Sequence, residues 1–243
     1  MKTQYENLIL QRDRLLKEGE LYRLNYMREF GDKITESFQL RIDCISLKKS
    51  ISFCQAKINA GEEIDPISMQ EYIDAHMLAY AEQLKDLTAM VRAGKSMKPI
   101  SLLDAEAIKR IYRKVAKRLH PDICPLTAEN PELMEFFQKV LMAYRANDLK
   151  AIREAETLIN HFLQELGEEP FSGEIENLPE KIADLETEIS NILSTEPYSF
   201  KLLLEDDEAI GKKHKELDEE IEYYRNYKSE LQAHLFEMLA IGH

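Results

Sequence analysis

The chain has 243 residues, of which 44% are apolar and 32% charged, with only eight glycines and eight prolines, a mix that favours long solvated helices over sheets or disorder. A net charge of -13 argues against bulk nucleic-acid binding. No run of about 18 apolar residues supports a membrane span, and the opening Met1-Lys2-Thr3-Gln4-Tyr5-Glu6 lacks a signal peptide's apolar core, so a cytoplasmic protein is expected.

Residues 1–58 read as one long helix or two nearly continuous ones. Tyr5, Leu8, Leu15, Tyr22 and Tyr26, then Ile34, Phe38, Ile42 and Ile45, mark a drifting apolar stripe. Gly19 and Gly31 are weak points where a kink is expected. Gly61 and Asp65-Pro66 predict a turn. From Ser68 to Ala93, Ile73, Met77, Tyr80, Leu84, Leu87 and Val91 alternate steps of four and three, a heptad seam that folds back on the first helix as an antiparallel hairpin. Gly94 is expected to cap its C-terminus. Residues 1–98 are therefore read as an N-terminal coiled-coil hairpin.

The next segment, 99–166, carries the functional signal. Ser101-Leu102-Leu103-Asp104 offers an N-terminal cap, with Asp104 as the alternative. Ile108, Ile111, Tyr112, Val115 and Leu119 then form one apolar helical face, and Lys109, Arg110, Arg113, Lys114, Lys117 and Arg118 form a basic stripe on the other. The helix stops at His120-Pro121-Asp122, because Pro121 has no N–H and disfavours helical backbone at His120. A second helix begins with Asn130 as cap and Pro131 at its first position, and buries Leu133, Phe136, Phe137, Val140, Leu141 and Tyr144. Leu149, Ile152, Leu158, Ile159 and Phe162 continue the pattern as a further helix against this hairpin.

Across Asp104 to Asn147 the sequence resembles the J domain of the DnaJ family. Ile108-Lys109-Arg110-Ile111-Tyr112-Arg113-Lys114-Val115-Ala116 is similar to that family's second helix, His120-Pro121-Asp122 to its loop tripeptide, and Phe137, Val140, Ala143 and Tyr144 to the core of its third helix. The resemblance covers roughly a fifth of the chain. It implies docking on a DnaK-type (seventy-kilodalton heat-shock) chaperone, with His120, Pro121 and Asp122 triggering ATP hydrolysis there. Lys109, Arg110, Arg113, Lys114, Lys117 and Arg118 steer and hold the partner, while Tyr112, Leu119, Phe137 and Tyr144 keep the hairpin shut. On this reading His120→Gln removes stimulation and leaves folding intact. The family's Tyr-rich first helix has no counterpart between Gly94 and Asp104, so another segment is expected to cover that face. Ile123 and Cys124 follow the tripeptide where the family commonly has Lys or Arg.

Gly167–Gly173, with Pro170, predicts a boundary. Leu178, Ile182, Leu185, Ile189 and Ile192 form another heptad seam, and a last helix from about Phe200 to Leu239 carries Ile210, Leu217, Ile221, Tyr224, Leu231, Leu235 and Met238, with His214 and Lys228 as polar intruders. Residues 174–243 are thus expected to form a C-terminal acidic coiled-coil hairpin, since residues 151–243 carry 23 acidic side chains against 8 Lys and Arg. The expected fold is all-α: a J-domain-like hairpin flanked by long antiparallel coiled-coil helices.

Catalytic and metal readings find no support. Cys44, Cys54 and Cys124 form no C-x-x-C pair, and His76, His120, His161, His214, His234 and His243 show no metal-ligand spacing, so no metal or cofactor is expected. No nucleophile elbow or phosphate-cradling glycine loop is present, and an enzyme is not expected. The alternative to a co-chaperone is a coiled-coil scaffold or adaptor with a degenerate, non-stimulating J-like domain. Its arms would bind a client protein or a second copy of the chain, with no nucleic acid or membrane as partner.

Overall fold

With few glycines or prolines to interrupt it, the N-terminal sixty residues form one uninterrupted helix, α1 (Lys2–Ala60). The computed structural model describes residues 1–166 and 175–241. Among these it holds α2 (Pro66–Ser96), α3 (Leu102–Leu119), α4 (Pro125–Glu129), α5 (Pro131–Arg145), α6 (Leu149–Leu166), α7 (Leu178–Ser194), α8 (Phe200–Leu204) and α9 (Asp207–Ile241), and no strand. The predicted boundary at 167–173 lies outside the described residues. Among the described residues no helix is long and apolar enough to cross a membrane.

The chain divides into two compact units that differ from the sequential segments 1–98, 99–166 and 174–243. The first comprises 1–21 and 98–199, the second 22–97 and 200–243. Long-range apolar contacts cause the difference. Tyr5 and Ile9 join Ile123, Ile182 and Leu185 in one buried cluster, so the seam of α7 is filled by the start of α1.

In the first unit, α3, α5 and α6 share a core built from Ile108, Tyr112, Val115, Leu119, Leu133, Phe137, Val140, Tyr144, Ile152 and Ile159. Tyr112 stacks on Tyr144 with centroids 3.9 Å apart, and His120 meets Phe137 edge-on at 4.9 Å, so α3 and α5 run antiparallel. The caps are as the sequence predicts. Ser101 Oγ accepts from the Asp104 N–H, and Asn130 Oδ1 accepts from the N–H groups of Glu132 and Leu133. The loop after α3 contains the short helix α4, which the periodicity did not predict.

In the second unit, residues 22–60 of α1 pack on α2 and α9. Glu29 meets His214 at 3.0 Å, Lys33 meets Asp218 at 2.7 Å, Arg225 bonds Glu36, and Lys228 meets Asp43 at 2.7 Å. These contacts climb both helices in the same direction, so α1 and α9 are parallel here. α1 runs through Gly31 without a break. A Cβ there would lie 2.6 Å from Val91 Cγ2, and one at Gly94 would lie 2.5 Å from the Leu24 carbonyl oxygen. Gly94 therefore permits a close helix crossing. It does not end α2, which runs on to Ser96. The predicted last helix is also divided. Glu205 and Asp206 separate α8 from α9, and the Asp206 carboxylate accepts from the N–H groups of Glu208 and Ala209 as an N-terminal cap.

Candidate docking site

The Pro121 ring halts α3, and His120, at its C-terminal boundary, leaves the helix in extended backbone while its N–H still bonds the Ala116 carbonyl. The loop then turns back on itself, with the N–H groups of Ile123 and Cys124 both bonding the His120 carbonyl. This turn drives Ile123 and Cys124 inward, 3% and 2% exposed. Ile123 becomes the anchor against which the start of α1 and α7 pack.

The first turns of α1 are the segment that covers the hairpin. Asp13, 4% exposed, accepts a 2.5 Å hydrogen bond from the Tyr112 hydroxyl, and His120 Nε2 lies 3.5 Å from the same carboxylate. The Asp122 N–H donates to His120 Nδ1 at 3.1 Å, which puts the proton of the neutral ring on Nε2, facing Asp13. Arg12 meets Asp13 at 3.3 Å, Asp122 at 3.2 Å and Glu188 of α7 at 3.7 Å. The three predicted tripeptide residues are therefore held together, but unequally. His120 is buried, Pro121 half-buried, and Asp122 exposed with one carboxylate oxygen on Arg12.

The electrostatics follow from this packing. Burial pushes the Asp13 carboxyl up, but the His120 N–H and Tyr112 O–H donors and the Arg12 charge outweigh it and hold Asp13 below the usual carboxylate range. Burial lowers Arg12, yet Asp13, Asp122 and Glu188 raise it overall. Burial and then Asp13 push the Tyr112 phenol far above its ordinary value. Burial, Asp13 and Glu18 take Tyr144 up to about 12.

The predicted basic stripe splits into two rows. Lys109, Arg113 and Lys117 turn toward α1. Arg110, Lys114 and Arg118 lie one residue further round, where Lys114 meets Glu156 at 2.7 Å and Arg118 donates to Asn160 at 3.2 Å, both on α6. Arg110, Arg113, Lys114 and Lys117 remain exposed, and Lys109 and Arg118 are half-buried. Among the described residues neither Arg113 nor Lys117 has an acidic partner. No group of described residues is arranged to hold a metal ion.

Arg12, Asp13 and Glu188 were not among the predicted site residues. A signal for Asp13 was present: it continues the four-residue spacing of the buried Tyr5 and Ile9, so an acid occupies an inward-facing position of α1. In comparisons with known proteins, no family model, curated protein or solved structure matches the chain.

Proposed function

We propose that the chain is a co-chaperone that docks on a DnaK-type chaperone through the basic face of α3 and the His120-Pro121-Asp122 loop and stimulates its ATPase. The observation that carries this reading is the continuity of the exposed face. Arg110, Arg113, Lys114 and Lys117 lead along α3 to the outward Asp122, on a hairpin closed by the Tyr112–Tyr144 stack. In a chain of net charge -13, such a face favours one acidic partner surface and speeds the encounter with it. In this reading the start of α1 takes the covering role that the hairpin's own sequence leaves open, and the resemblance to the J domain of the DnaJ family supplies the partner. In this reading the ATP is hydrolysed on the chaperone, and α2 and α9 serve as coiled-coil arms for a client or a second copy.

One observation favours the scaffold reading. His120 is 4% exposed under Arg12 and Asp13, so its ring is not free to reach a partner. The two readings separate on association kinetics with the chaperone of the same cell. Reversing Arg113 and Lys114 to Glu slows association of a co-chaperone most at low salt, because charges steer over roughly a Debye length of 10 Å. An unchanged rate at low salt, with wild-type helicity retained, removes the docking role and leaves the scaffold.

A further inference from the structure

Beside the loop, the row of α3 that faces α1 borders a cleft of about 350 Å³, lined by Asn7, Gln11 and Arg14 of α1 and by Lys109, Arg113 and Lys117 of α3 over a Tyr112–Tyr144 floor. We propose that this cleft is a binding site for a small molecule bearing adjacent phosphates, either inorganic pyrophosphate or the diphosphate of a nucleotide.

Four cations line one concavity and no acidic side chain does, although acids outnumber Lys and Arg 45 to 32 in the whole chain. Arg14 is paired with Glu18 at 3.6 Å and Lys109 with Glu106 at 3.3 Å, and among the described residues Arg113 and Lys117 have no acidic partner. Crowded like charges repel one another, and a multiply charged anion relieves this where a single carboxylate does so only in part. Two guanidinium groups on opposite walls offer paired N–H donors that match phosphate oxygens. Neutral donors complete the set. Among the described residues the amides of Asn7 and Gln11 and the Tyr144 hydroxyl have no hydrogen-bond partner, so they are available to a ligand. The volume lies at the low end of small-molecule pockets, which run from about 300 to 1,000 Å³. It suits a diphosphate better than a peptide, which needs a groove that continues past both ends. The site goes beyond the docking reading, with which it shares Arg113 and Lys117, and its test uses no chaperone.

The test is titration of the full chain with pyrophosphate, ADP, AMP and inorganic phosphate, followed by calorimetry and by the side-chain amide resonances of Asn7 and Gln11. Pyrophosphate and ADP are expected to bind more tightly than phosphate and AMP and to shift both amides. If ADP and pyrophosphate bind alike, the phosphates alone are recognised; if ADP is tighter, the source is a nucleotide. Arg14→Gln and Lys117→Gln should each weaken binding by about tenfold or more, as loss of a charge-assisted bond requires. Lys114→Gln, on the same helix but outside the cleft, should leave it nearly unchanged. Absence of binding at millimolar ligand overturns the proposal. So does an equal loss in Lys114→Gln, which marks diffuse attraction, or shifts scattered away from Asn7 and Gln11. The amide readout on the wild-type chain keeps the proposal testable should Arg14→Gln fold poorly.

Discussion

Replacing Asp13 with Ala tests whether one buried carboxylate ties the start of α1 to the hairpin. The substitution strands the Tyr112 hydroxyl, whose residue is 1% exposed and whose bond to Asp13 is 2.5 Å. A buried polar group left without its partner costs about 1–3 kcal/mol. Arg12 loses one neighbour but keeps Asp122 and Glu188, so the loss falls short of the roughly 3–5 kcal/mol for a fully orphaned buried charge. Together these give about 3 kcal/mol, or a fall in Tm of about 6–12 °C at neutral pH for a chain of this size. The pH dependence supplies a second check. Because Asp13 is held below its unfolded value near 3.9, its contribution is fully present above about pH 4 and disappears as pH falls through the folded value. The Tm gap between wild type and Asp13→Ala should therefore narrow in acid. A thermal melt that shows a gap under about 2 °C at pH 7, or a gap that widens in acid, refutes the buried-node reasoning.

Gly94→Ala places a Cβ 2.5 Å from the backbone oxygen of Leu24; the clash is with main chain, so α1 and α2 must separate, and a loss of about 1–3 kcal/mol is expected in urea unfolding. A wild-type midpoint would show that the two helices do not cross at this glycine. Burial lowers Lys17 to about 8, with its ammonium 4.0 Å above the Tyr144 ring. The unfolded chain therefore holds a proton there that the folded chain has released, and wild-type stability rises as pH climbs from about 8 to 10. Lys17→Met should lack that rise, and parallel pH profiles for the two proteins would contradict it.

Much of the first unit's local structure was legible because it is set by neighbours in sequence. Ser101, Asn130, Pro131 and Pro121 act within one helical turn, and Ile108 to Leu119 and Leu133 to Tyr144 declare their buried faces by spacing alone. Periodicity shows which face is buried but not what buries it. The seams of α1 and α7 were therefore visible while their partnership through Tyr5, Ile9, Ile182 and Leu185 was not. Gly94 shows the same limit, since a glycine near a helix end serves a cap or a crossing, and only the approach of Leu24 decides. The break at Asp206 was marked by acids just ahead of a helix, but the apolar frame spanning Phe200 to Leu239 concealed it.

Burial of His120 also changes which variant tests function. His120→Gln was expected to spare folding, but it alters a network with Asp13 and Arg12, so lost activity and lost structure would be confounded. Asp122 is exposed, and Arg12 retains Asp13 and Glu188 without it, so Asp122→Asn leaves the packing in place.

The most direct measurement is single-turnover ATP hydrolysis by the DnaK-type chaperone of the same cell, with wild-type protein, Asp122→Asn and Arg12→Gln. The co-chaperone account predicts acceleration by wild type and hydrolysis at the unstimulated rate with Asp122→Asn, at equal helicity. Arg12→Gln, compared at wild-type helicity and melting temperature because Arg12 also bonds Asp13 and Glu188, should stimulate at least as well as wild type, since the Asp122 carboxylate is then released from its internal partner. Hydrolysis unchanged by both wild type and Arg12→Gln, or stimulation by Asp122→Asn equal to wild type, would contradict the account.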